Sequence, residues 1–77
     1  MKELLEYIVK ELVDSPDDVE IEEEEEDDKT VIFKLKVAED DLGKVIGKKG
    51  RTANALRVIL RAASAKRGKS SIVKIMD

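Results

Sequence analysis

"LGKVIGKKGRTANALRVIL", residues Leu42 to Leu60, holds two glycines three positions apart. Lys48 and Lys49 lie between Gly47 and Gly50, and Arg51 follows directly. Upstream, EDDLGKVI at 39–46 predicts a short helix. Glu39, Asp40 and Asp41 suit the positive end of its dipole. Leu42, Val45 and Ile46 form its apolar side, and Gly47 ends it. Downstream, a long helix is predicted over 51–67. Leu56, Ile59, Leu60 and Ala63 are placed to face a core, while Arg51, Asn54, Arg57 and Arg61 share the opposite side. Gly68 supplies its C-terminal cap.

The four residues between these helices therefore end where a helix begins. Glycine permits backbone angles that other residues resist and leaves no side chain in a ligand's way. A helix N-terminus presents free N–H groups and partial positive charge, which favour phosphate. Lys48, Lys49 and Arg51 add full charges at the same place. The physical reading is a clamp for a sugar-phosphate backbone. The plain alternative is a glycine turn between packed helices, with lysines for solubility. Neither a mononucleotide P-loop nor a dinucleotide-binding G-x-G-x-x-G is present.

Outward from this stretch, TVIFKLKV at 30–37 is the clearest strand. Val31, Phe33, Leu35 and Val37 point one way; Thr30, Ile32, Lys34 and Lys36 point the other. KELLEYIVKELVD at 2–14 is an amphipathic helix, stopped by Ser15-Pro16-Asp17-Asp18. A strand begins near residue 18 and enters the acidic run 22–28. Such a run is a solvated face, and on an edge strand it also resists pairing with another chain. Asp27-Asp28-Lys29 is the hairpin turn, without the favoured glycine. SIVKIM at 71–76 is the last strand, with Val73 and Ile75 inward. Ile32, Ile72 and Met76 fall on the sheet face expected to lack helix cover.

The order is α-β-β-α-α-β, an α+β arrangement in one domain, 1–77. The first two strands form a hairpin. The helical crossover makes the second and third parallel, giving a three-stranded mixed sheet with all three helices on one face.

The net charge of −3 hides an asymmetry. Residues 1–42 carry 17 acidic and 5 basic side chains; residues 43–77 carry 1 and 10. A basic half of this kind points to a polyanionic partner; the plain alternative is two solvated faces of opposite sign that stabilise each other. No cysteine and no histidine are present. That removes disulfides, the usual metal ligands and every Ser-His or Cys-His arrangement. The carboxylates form no catalytic pair, and no small-molecule substrate or cofactor is expected. No apolar run is long enough to span a bilayer and no signal-peptide pattern opens the chain, so a cytoplasmic location is expected.

With the glycine loop, the following arginine and the element order in place, the chain resembles a KH domain of the type II topology. It is most similar to the small bacterial single-KH RNA-binding proteins. One departure is Glu39, where many relatives carry proline; another is the length of the acidic run.

The resemblance implies a non-catalytic module for single-stranded RNA, of the RNA chaperone or post-transcriptional regulator type. Its loop, Gly47-Lys48-Lys49-Gly50, would clamp about four nucleotides of backbone. Lys44, Val45, Ile46, Arg51 and Thr52, with Ala55 beside them, would form one wall of the groove. Arg67, Lys69 and Ser71, on the last strand and the loop before it, would form the other. Ile46 is either the apolar floor under the bases or core. Arg57 and Arg61 either extend the backbone track or are solvated. The two aromatic residues, Tyr7 and Phe33, lie far from the loop in sequence, so base stacking on aromatics is not expected. Binding by one domain should be weak and salt-dependent. Useful affinity would then need a homodimer or a second KH-containing RNA-binding protein. The alternative is a KH-fold protein-interaction module that acts mainly through such pairing.

Overall fold

The computed structural model describes residues 1–76. Asp77, the last residue of the expected domain, lies outside the described residues. Helix α1 spans Lys2–Leu12, strand β1 Glu20–Glu25 and strand β2 Thr30–Lys36. Helix α2 spans Leu42–Ile46, helix α3 Arg51–Ala65 and strand β3 Ser70–Met76. Single 3-10 turns cover Pro16–Asp18, Glu39–Asp41 and Lys48–Gly50. The sheet order is β1-β2-β3. β1 pairs antiparallel with β2, Glu20 opposite Lys36, and β2 pairs parallel with β3, Thr30 opposite Ser70. The predicted α+β type II order and mixed sheet are therefore present.

The alternation in β2 fixes the core. Val31, Phe33 and Leu35 are buried on one face, with Val37 just beyond the strand. They cluster with Leu5, Val9 and Val13 from the α1 segment, Val45 from α2, Leu56 and Leu60 from α3, and Val73 from β3. Phe33, on the central strand, has no exposed surface. Truncating it to alanine costs about 3–5 kcal/mol, a large share of the stability of a domain this small.

One predicted side-chain placement differs. The buried positions of α3 are Ala53, Leu56, Leu60 and Ser64, while Ile59 is exposed. The helix lies along β3 on a narrower stripe, which turns Ile59 away. Ile32 is only 9% exposed, although Ile72 and Met76 on the same face are 42% and 44% exposed. It sits on the middle strand between Glu24 and Ile72, and these neighbours cover it even where no helix does.

The hairpin turn replaces glycine with a side chain. Asp27 Oδ1 accepts hydrogen bonds from the Lys29 and Thr30 amides, each at 2.8 Å, in the manner of an Asx turn. The acidic strand β1 is an edge strand, exposed except at Ile21. Two of its carboxylates also reach cations: Glu24 pairs with Lys34 at 3.0 Å and Glu25 with Lys69 at 3.8 Å.

Candidate nucleic-acid interface

The loop is built by three residues with positive φ in four. Gly47 (φ 76°, ψ 172°) ends α2, and Lys49 (φ 58°, ψ 26°) and Gly50 (φ 75°, ψ 14°) turn the chain into α3. Lysine at such an angle is uncommon. The glycines are needed for different reasons. A β carbon on Gly47 would meet Thr52 Oγ1 at 2.3 Å, whereas a β carbon on Gly50 would meet nothing within 4 Å. Gly47 lets the loop close over Thr52; Gly50 supplies only the left-handed turn.

Several amides in the loop are already used. The Gly47 amide donates to the Gly43 carbonyl at 2.8 Å, that of Gly50 to the Gly47 carbonyl at 3.1 Å, and that of Arg51 to the Lys48 carbonyl. The Lys48 and Lys49 amides carry no main-chain partner among the described residues. Both side chains are exposed, as is Arg51. None of the three pairs with a carboxylate among the described residues. Two amides and three cations, none of them paired with a carboxylate among the described residues, therefore lie within four residues of chain at the start of a 15-residue helix.

The other predicted wall residues are distributed more widely. Ile46 is 37% exposed at the end of α2 and is available as an apolar floor, while Thr52 is half-buried beneath Gly47. Val45 has its side chain wholly in the core, because a helix of one and a half turns presents adjacent residues to different surroundings. Lys44 is hydrogen-bonded to Asp14 and lies 3.6 Å from Asp41. The Asp14 carboxylate holds the Lys44 ammonium above the usual lysine range. Arg67 and Lys69 lie beyond the far end of α3, roughly 20 Å along its axis from the loop. There they share a depression with Lys2, Glu23 and Glu25. Ser71 turns its hydroxyl inward, buried and without a hydrogen-bond partner among the described residues.

Asp41 has a role that its place at a helix start does not announce. It is 1% exposed and accepts hydrogen bonds from the Asp14 amide at 3.2 Å and the Ser15 amide at 3.0 Å. Burial pushes its pKa up. The two amides and the Lys44 charge outweigh that and hold it below the ordinary carboxylate value. Asp41, Lys44 and Asp14 thus tie the end of α1 to the start of α2, which carries the loop. Only pairing across 26 to 30 residues of sequence reveals this.

The sequence matches the family described as KhpA/KhpB, KH domain, over residues 2–75. The chain belongs to this KH-domain family. Its relatives include the RNA-binding protein KhpA of Clostridium acetobutylicum, 49% identical over 99% of this chain and 100% of that protein. KhpA of Aquifex aeolicus is 47% identical over 100% of this chain and 96% of its own length. KhpA of Chlamydia pneumoniae is 43% identical over 100% and 97%. No solved structure shows a significant match to the chain. Membership of the KhpA/KhpB family agrees with the type II KH fold described above. No helix among the described residues is long and apolar enough to cross a membrane.

Proposed function

We propose that this chain is a non-catalytic binder of single-stranded RNA, and that Gly47-Lys48-Lys49-Gly50 holds the sugar-phosphate backbone. The observation that carries this reading is the pair of Lys48 and Lys49 amides, unpartnered among the described residues, together with three cations that pair with no carboxylate among them. Phosphate satisfies both needs at once. The name of the curated relatives, RNA-binding protein, supports the same ligand class. Ile46 lies on the apolar floor and Thr52 props the loop from below. Contact through charge and main chain gives weak binding with a shallow sequence preference, suited to an RNA chaperone or post-transcriptional regulator. Pairing with a second copy or with another KH-containing protein would raise the affinity through avidity.

The test reverses both loop charges, Lys48→Asp with Lys49→Asp. Aspartate tolerates the left-handed angle at position 49, so the loop keeps its path. Binding to short single-stranded RNA is measured by fluorescence anisotropy, with circular dichroism to confirm the fold. A folded double variant that binds as tightly as the wild type removes the clamp assignment. Single-stranded DNA of the same sequence shows whether the 2′-hydroxyl contributes.

A further inference from the structure

Arg57 lies on α3 less than two turns after Arg51 and differs from the other arginines of that helix. It is half-buried, whereas Arg51 and Arg61 are exposed. Its Nε donates to the main-chain carbonyl of Val73 at 3.3 Å, and Nη1 donates to Asn54 Oδ1 at 3.4 Å. It pairs with no carboxylate among the described residues. The guanidinium therefore spans from α3 to β3, held at two of its five N–H donors.

The carbonyl it takes lies on the free edge of the sheet. β3 is an edge strand, and the Ser70 amide points inward, donating to the Lys29 carbonyl at 2.7 Å. Main-chain groups of successive strand residues point to opposite sides. Those of Ser71, Val73 and Ile75 thus face away from β2. A nucleic-acid strand held at the loop and continuing along α3 passes this edge. At Val73 it meets a flat cation where a bare carbonyl would otherwise be.

We propose that Arg57 is a specificity-determining residue: fixed between Asn54 and the Val73 carbonyl, it turns its remaining N–H donors toward the acceptor edge of a base. The inference rests on the RNA-binding reading above. A bare carbonyl would take a base's amino group, as adenine presents; guanidinium donors take carbonyl oxygens, such as guanine O6 or uracil O4, and adenine has none. Arg57 thus tilts the preference from adenine toward uracil. Its planar head reaches the Val73 carbonyl and Asn54 Oδ1 at once and still presents further N–H groups, which a lysine ammonium cannot reproduce.

The test compares wild type, Arg57→Ala and Arg57→Lys against short oligouridylate and oligoadenylate by anisotropy across a salt series, with circular dichroism as the check on folding. Arg57→Ala is expected to weaken oligouridylate binding about five-fold or more and oligoadenylate binding less, shifting the ratio between them. Arg57→Lys is expected to leave that ratio shifted. If Arg57→Ala does not fold, the ratio in Arg57→Lys decides alone. Equal losses on both oligonucleotides, recovered by Arg57→Lys, would make Arg57 a phosphate contact and overturn the inference, as would unchanged binding in both variants. Wild-type protein that binds neither oligonucleotide refutes the proposed function and this inference together.

Discussion

A β carbon on Gly47 would sit 2.3 Å from Thr52 Oγ1, closer than any real contact, because the loop folds back over the first turn of α3. Gly47→Ala therefore suffers a clash and a strained φ of 76°, while Gly50→Ala suffers only the strain of φ 75°. Gly50→Ala is expected to cost about 1–2 kcal/mol and Gly47→Ala more than that. Urea denaturation of the two variants measures the order. Equal midpoints would show that the loop does not close on Thr52.

Lys48→Ala and Lys49→Ala are expected to weaken RNA binding evenly across sequences. Each should flatten the slope of log affinity against log salt by about 0.7, the value for one phosphate on a single strand. A salt series with each variant checks this. Unchanged slopes in both would place the phosphate elsewhere.

Lys44→Met gives the contrasting result. This lysine is held by Asp14 and Asp41 on the side of α2 that meets the end of α1. Its loss is expected to lower the denaturation midpoint and to leave the salt slope unchanged. A flattened slope with an unaltered midpoint would identify it as a phosphate contact.

Asp41→Asn is expected to lower the denaturation midpoint more than Asp40→Asn, since Asp40 on the same turn is exposed. The effect depends on pH. Asp41 has a folded pKa below its unfolded value, despite burial, because the Asp14 and Ser15 amides and Lys44 favour its charged form. Its stabilising contribution is complete above the ordinary carboxylate range. It falls away as pH drops through that range and on through the lower folded pKa. The gap between wild type and Asp41→Asn should narrow on acidification from neutral pH, as followed by urea denaturation at a series of pH values. A gap that widens would refute the assignment.

The elements were legible because their signals are local. Residues 30–37 alternate, so one face of β2 had to be buried, and Val31, Phe33 and Leu35 are. Gly47 and Gly50 bracket two lysines between two apolar-patterned helices, and a positive φ occurs at both. The loop could be located from residue type and spacing alone, since backbone permissiveness belongs to glycine itself.

Which cations stay free was not legible in this way. Lys44, Lys48 and Lys49 are chemically alike and lie within six residues, yet Lys44 is tied to Asp14 and the other two are not. Arg57 and Arg61 share one helix face, yet Arg57 reaches the edge of β3 and Arg61 is exposed. These distinctions depend on carboxylates and carbonyls that are 16 to 30 residues away in the chain. The order of apolar residues, glycines and charges determined the strands, helices and loop of this protein. Only tertiary packing decided which charges were neutralised by a neighbour, because Coulomb and hydrogen-bond partners are chosen by distance in space.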